Sequence, residues 1–198
     1  MGGRIAVFLD RDGTLNEEVN FVRRPEQLEM LPGAAASVRA LNDHGIVVCI
    51  ISNQSGIARG YFSEEDLVPI HAKLERELAH EGARIDHIYY CPHHPTEGQP
   101  PYKAACSCRK PGTGMLEQAA KDFKLDLRRS FVVGDRIVDI QAGRNAGATT
   151  ILVMTGYGPH ALEECREKGV VPDFIAVDMA EAARIIMQKT NGETHTNE

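Results

Sequence analysis

Ala6-Val7-Phe8-Leu9-Asp10-Arg11-Asp12-Gly13-Thr14 is a short apolar run that ends on two aspartates one residue apart, followed by glycine. An apolar run with β-branched and aromatic members, bounded by an Asp-Gly turn signal, predicts a buried strand. Side chains at i and i+2 of an extended segment point the same way, so Asp10 and Asp12 would project together from the strand's carboxyl end. Two carboxylates that close repel unless a cation or a shared proton lies between them. A plain surface turn is the bland alternative. It is disfavoured because later stretches supply the missing partners.

Working outward, residues 46–51 form a second apolar run that ends in Ser52-Asn53-Gln54-Ser55-Gly56, and Phe131-Val132-Val133 a third that ends in Gly134-Asp135. Shorter strands are expected at 86–90, 150–154 and 174–177. Residues 16–29 are polar, with no clear period, and read as a loop or short hairpin over the first strand's end. Pro32-Gly33 opens a helix with Ala34, Val38 and Leu41 inward, stopped by Gly45. Ser63 caps a helix whose core face is Leu67, Ile70, Leu74 and Leu78. Pro69 predicts a kink or restart inside it. Helices are also expected over 111–123, over 137–146 up to Gly147, over 161–168, and from Met179. Strands alternating with helices imply an α/β fold, a parallel sheet covered on both faces, with ligands beyond the strands' carboxyl ends. Asp10, Ser52 and Asp135 all fall on that edge.

The chain has 198 residues, 42% hydrophobic and 25% charged, with a formal net charge of −6. That length suits one domain, here 1–189, with a disordered polar tail over 190–198. The acidic balance argues against a nucleic-acid or anionic-membrane binder. No apolar run approaches a membrane span, and the N-terminal run is too short for a signal peptide. A cytoplasmic monomer acting on a small molecule is the expectation.

Five cysteines in such a chain point to metal ligation before disulfides. Cys91-Pro92-His93-His94 is followed by Cys106-Ser107-Cys108, with twelve residues between His93 and Cys106. Cys-x-His and Cys-x-Cys offer four ligands for a tetrahedral Zn²⁺: Cys91, His93, Cys106 and Cys108, with His93 preferred over His94 by spacing. With no open position, such a zinc is structural and pins the loop 91–108. Cys49 reads as a strand core residue and Cys165 as a helix residue.

At the sheet edge, the carboxylates Asp10, Asp12, Asp135 and Asp139 suit Mg²⁺. Asp135 and Asp139, four apart at a helix start, share a face. Ser52 to Ser55 bring a hydroxyl and turn amides, and Arg109, Lys110 and Arg136 bring positive charge. These are the parts of phosphoryl transfer, with an aspartate as possible nucleophile.

The motifs Asp10-Arg11-Asp12-Gly13-Thr14, Ser52, Lys110 and Gly134-Asp135-x-x-x-Asp139 fall in one order over about 130 residues. In this the chain resembles the haloacid-dehalogenase (HAD) superfamily, in its Asp-x-Asp phosphatase branch. The resemblance implies a HAD-like Rossmannoid three-layer sandwich. It implies Asp10 as nucleophile and Asp12 as general acid, then base. Mg²⁺ would be held by Asp10, Asp135 and the backbone carbonyl of Asp12, with Asp139 supporting from behind. Ser52 and Lys110 would hold the phosphoryl oxygens. Only 37 residues separate Thr14 from Ser52, and 53 run from Gly56 to Cys108, so no large cap fits and the site should be open.

Residues 52–60, 90–95 and 106–111 further resemble the D,D-heptose 1,7-bisphosphate phosphatases, which remove the 7-phosphate on the way to nucleotide-activated heptose for bacterial surface lipopolysaccharide. This implies substrate contacts from Ser52, Asn53, Gln54, Ser55, Arg109, Lys110 and Arg136. Residues 18–21 fall at the family's other substrate loop, with Asn20-Phe21 in place of Gly-Tyr. A histidinol-phosphate phosphatase, or another small sugar-phosphate phosphatase, is the nearest alternative. A phosphomutase would want a cap, and a zinc-stapled binding module leaves the paired carboxylates unexplained.

Overall fold

Strand β1 (Ala6–Leu9) takes the middle of a parallel sheet because all four of its side chains are buried. Both neighbours pair with it in parallel: Phe8 lies opposite Cys49 on one side and Val132 on the other. In this computed structural model, which describes residues 3–194, the described strands form one sheet in the order β3-β2-β1-β4-β5-β6. The others are β2 (Val47–Asn53), β3 (His87–Cys91), β4 (Phe131–Gly134), β5 (Thr149–Val153) and β6 (Phe174–Ala176). The helices between them are α1 (Ala34–Asp43), α2 (Glu64–His80), α3 (Gly114–Phe123), α4 (Ile137–Ala146), α5 (Gly158–Lys168) and α6 (Met179–Thr194).

The strand period of two divides the core. Val7, Leu9, Val48 and Ile50 face α1, α2 and α6 through Val38, Leu41, Leu67, Leu74, Ala182 and Ile186. Ala6, Phe8, Cys49 and Ile51 face the other way, onto Met115, Leu116 and Ala119 of α3 and Ala142 of α4. Leu152 of β5 meets Ile140 of α4 and Ala161 of α5 on that same side. These are the three layers expected of this fold class. Cys49 and Cys165 are buried, as their strand and helix positions imply.

Two local expectations change. Helix α2 neither kinks nor restarts at Pro69 but runs unbroken over 17 residues. Ser63 and Asp66 close its first turn as a reciprocal capping box. Pro69 lies early in the helix, where its missing N–H removes one bond, while Leu67, Ile70, Leu74 and Leu78 hold the helix on the core. At the other end, α6 continues to Thr194, past the point where a polar tail is expected. Residues 195–198 lie outside the described residues. Among the described residues, no helix is long and apolar enough to cross a membrane.

Candidate active site

The carboxyl ends of β1, β2, β4 and β5 open onto a cavity of about 470 Å³, lined among others by Asp10, Ser52, Lys110 and Arg136. The convergence is a product of topology: residues that end three apolar strands far apart in sequence become neighbours when the strands pair side by side. Among the described residues, no separate cap covers the cavity. Its walls are the loops after β1 and β2, Arg109 and Lys110, the start of α4, and α5 with the residue before it.

Lys110 holds the floor together. It is 3% exposed, yet its Nζ donates to Asp10 Oδ1 and to the backbone carbonyl of Ile51, both at 2.7 Å, and lies 2.6 Å from Asp139 Oδ1. Burial opposes the ammonium charge, but Asp10 and Asp139 outweigh it and raise the Lys110 pKa. Asn53 fixes the backbone beneath: its amide donates to the Lys110 carbonyl at 3.1 Å and its carbonyl accepts from the Lys110 N–H at 3.0 Å.

Asp10, Asp135 and Asp139 bring one carboxylate oxygen each to within 4.8 Å of one another. Asp135 Oδ2 accepts from the Tyr157 N–H at 2.8 Å, while its Oδ1 is buried with no hydrogen-bond partner. Burial first, and the neighbouring carboxylates second, push Asp135 up to about 8. Asp10 rises to about 7, with burial again the main cause and Lys110 pulling the other way. Three buried carboxylates against one ammonium are short of positive charge. An orphaned oxygen donor in that setting suits a hard divalent cation such as Mg²⁺. Gly13 and Gly156, both at positive φ, close around Asp135, and a Cβ at either would collide with its Oδ2. Only glycine allows the two loops to come this near.

Asp12 does not join that cluster. Its carboxylate turns to the wholly buried Arg11, whose Nη2 donates at 2.9 and 2.8 Å and whose Nε donates at 3.1 Å. Asn16 Nδ2 and Gln54 Nε2 add donors at 3.0 and 3.1 Å. Burial would raise its pKa, but Arg11 and the amides outweigh it and hold Asp12 below the usual carboxylate value. The pair Asp10 and Asp12 is thus split into two environments, one beside Lys110 and one beside Arg11.

Gln54 also donates to Ser52 Oγ at 2.7 Å. The side chains of Asn53 and Gln54, expected to face substrate, are therefore engaged with Lys110, Asp12 and Ser52. Ser55 lines the cavity, as do Arg109 and Arg136. Arg109 Nη1 donates to the His93 carbonyl at 3.2 Å, which ties it to the cysteine loop.

In that loop, Cys91, His93, Cys106 and Cys108 turn their ligand atoms toward one point. The three sulfurs are 3.0–3.3 Å apart, and His93 Nδ1 lies 3.7 Å from two of them. None of the three cysteines is in a disulfide. Ligand bonds of about 2.0–2.3 Å to one tetrahedral ion would set S–N edges of about 3.5 Å, near the 3.7 Å seen, and S–S edges of about 3.8 Å, wider than the 3.0–3.3 Å seen, so the sulfurs would spread by roughly half an ångström around an ion. His94 is elsewhere, with its Nδ1 accepting from the Glu97 N–H at 3.0 Å.

With that geometry in view, likeness to known proteins becomes specific. The family described as HAD-hydrolase-like matches residues 107–182. A D-glycero-D-manno-heptose-1,7-bisphosphate 7-phosphatase of Thermosynechococcus vestitus is 47% identical over 187 residues, covering 92% of this chain and 95% of that protein. The chain belongs to the heptose-1,7-bisphosphate 7-phosphatase family. A second member, the D-glycero-beta-D-manno-heptose-1,7-bisphosphate 7-phosphatase of Haemophilus ducreyi, is 44% identical over 78% of this chain and 85% of its own. The D,D-heptose 1,7-bisphosphate phosphatase of B. bronchiseptica, solved with magnesium and phosphate, superposes with a TM-score of 0.82. It is 35% identical and covers 93% of this chain and 99% of its own.

Against this family background, three features of the site and its support escape a reading of the motifs alone. Arg59 lines the cavity and pairs with Glu97. Arg11 grips Asp12. Tyr157 stands at the end of the loop after β5, and a signal for it exists: the strand-end rule that marks Asp10, Ser52 and Asp135 also marks the residues after Val153.

Proposed function

We propose that this protein is a Mg²⁺-dependent phosphatase that removes the 7-phosphate of D-glycero-D-manno-heptose 1,7-bisphosphate through an aspartyl-phosphate, with residues 1–189 acting as one catalytic domain. The observation that carries this is Asp10, Asp135, Asp139 and Lys110 gathered in one buried cluster beneath an open cavity that three arginines line. The family membership names the substrate class. Asp10 attacks phosphorus, and the bond to the sugar oxygen breaks as the carboxylate–phosphorus bond forms. Asp12 gives a proton to the leaving oxygen. It then takes one from the water that cleaves the acyl phosphate; the donors around it favour the charged form this second half needs, and make the protonated form of the first half a stronger acid toward the leaving oxygen. Ser52 and Lys110 hold the phosphoryl oxygens. Asp10, Asp135 and the Asp12 carbonyl would hold Mg²⁺, which when bound offsets negative charge on the transferring group. Asp139 acts one step back, by fixing Lys110 and accepting from the Arg136 N–H at 3.0 Å. Asn53, Gln54 and Ser55 complete the floor beside Ser52. The site's composition suits a small sugar bisphosphate in aqueous solution.

Phosphate release from both anomers of the heptose bisphosphate, beside histidinol phosphate, tests this directly. Faster turnover of histidinol phosphate than of either anomer would refute the substrate assignment. Arg109 supplies a planar fork of donors to sugar hydroxyls or the second phosphate. A charge-assisted bond of this kind is worth roughly 1.5–3 kcal/mol, so Arg109→Ala should lower kcat/KM for the bisphosphate about 10- to 150-fold. The loss on p-nitrophenyl phosphate should be much smaller, and equal losses would remove Arg109 from recognition.

The four-ligand cluster at Cys91, His93, Cys106 and Cys108 is read as a structural zinc site. Freshly purified protein should contain about one Zn²⁺ per chain by elemental analysis. Cys106→Ser should release it and lower activity by loosening the loop that carries Arg109 and Lys110. Metal-free protein prepared without chelators, with full activity, would contradict this.

A further inference from the structure

Tyr157 touches three parts of the site at once. Its N–H donates to Asp135 Oδ2 at 2.8 Å. The Arg136 guanidinium lies over its ring, 3.9 Å from the centroid. Its hydroxyl donates to Asn20 Oδ1 at 3.0 Å. The contacts close a circuit at the cavity rim, because Arg136 Nη2 also donates to Glu18 Oε2 at 3.1 Å and the Asn20 N–H donates to Glu18 Oε1 at 2.5 Å. Asn20 holds a left-handed backbone, φ 67°, within that circuit. The loop after β1, the start of α4 and the start of α5 thus meet through four side chains.

Arg136 is anchored at one end and exposed at the other. Its N–H is bound to Asp139 beside the phosphoryl-transfer cluster, while its side chain, 45% exposed, reaches the rim. A long exposed cation usually samples many rotamers, which weakens its grip on a ligand by the entropy of ordering it. A ring face on one side and a carboxylate on its edge remove most of that freedom beforehand. An incoming phosphate can displace Glu18, the competing anion, but not the ring, because a cation held over an aromatic face keeps its hydrogen-bonding edge free.

Resting on the proposed function, we propose that Tyr157 is a positioning residue for the substrate's second phosphate: its ring presents Arg136, and its hydroxyl holds the 18–21 loop against the same rim. This gives a role in substrate choice to the chain beyond β5, to which the catalytic motifs assign none.

The test uses the full-length protein and compares Tyr157→Leu, Tyr157→Phe, Arg136→Ala and the Leu/Ala double variant. Each is assayed on heptose bisphosphate and on p-nitrophenyl phosphate. Tyr157→Leu should lower the ratio of kcat/KM for the bisphosphate over that for the monoester about five- to tenfold, through KM more than kcat. Tyr157→Phe keeps the ring and should keep most of that ratio, which also guards against a variant that merely folds poorly. In the Arg136→Ala background, Tyr157→Leu should add little further loss. Equal losses on both substrates, full additivity with Arg136→Ala, or a Phe variant as impaired as the Leu variant would each overturn the proposal. Failure of wild-type protein to hydrolyse the heptose bisphosphate would count against the function itself, not against this role. The coupling would then be read from inhibition of p-nitrophenyl phosphate hydrolysis by fructose 1,6-bisphosphate. No inhibition of wild type, or inhibition equal in all variants, would overturn the positioning role there too.

Discussion

Asp10→Asn should give a folded protein that releases no measurable phosphate from any monoester. The substitution keeps the volume of the side chain and one oxygen for Lys110 Nζ, which now bonds Asp10 at 2.7 Å. It removes the charge that attacks phosphorus. Losing a covalent nucleophile typically costs on the order of 10⁴- to 10⁶-fold in kcat. Stability should change little, since Asp139, 2.6 Å from Lys110 Nζ, still offsets the buried ammonium. Circular dichroism and a thermal melt would establish the fold, and a phosphate-release assay the activity. Turnover within about tenfold of wild type in a normally folded Asp10→Asn protein would end the covalent mechanism.

Lys110→Met is expected to injure both activity and fold. The methionine fills the space but leaves Asp10 and Asp139 facing each other without the ammonium that now lies 2.7 and 2.6 Å from them. Removing one member of a buried charge cluster costs about 3–5 kcal/mol. For a chain of this size that is a fall in Tm of roughly 6–20 °C. Activity should drop at least about 10³-fold, because the phosphoryl oxygens lose a buried donor and Asp10 loses its orientation. Lys110→Arg keeps the charge but cannot fit its fork into a site built for a compact ammonium, so it should recover stability in part and activity hardly at all. A Lys110→Met protein with an unchanged melt would show that the cluster is held by something other than this ion pair.

Much of this site is legible in the amino-acid sequence, for a simple reason. Where a fully buried strand stops, the next polar residue stands on the sheet's carboxyl edge, and parallel pairing makes that edge common ground. Asp10, Ser52 and Asp135 are legible on that basis, and the cysteine loop on ligand chemistry and spacing. The remaining parts depend on approaches between distant segments that leave no local pattern. Asn53 reaches Lys110 across 57 residues, and Tyr157 reaches Asn20 across 137. Gln54 can be placed at the strand end, but its choice of Asp12 and Ser52 over solvent follows from where β1 ends beside it. Pro69 misleads because a helix breaker acts locally, whereas the apolar stripe around it buries the helix over its whole length.

The place of β1 in the sheet order also bears on how the protein is made. β1 ends at Leu9, and its partner β4 begins only at Phe131. At ribosomal speeds of about 5–20 residues per second, one edge of a wholly apolar strand waits roughly 6–24 s for its neighbour to emerge. During that interval its N–H and C=O groups are an open template for pairing with any other nascent chain. The buried centre of the finished enzyme is thus the sticky end of the unfinished one. Yield in expression should depend on chaperone capacity and temperature more than the stability of the mature fold would suggest.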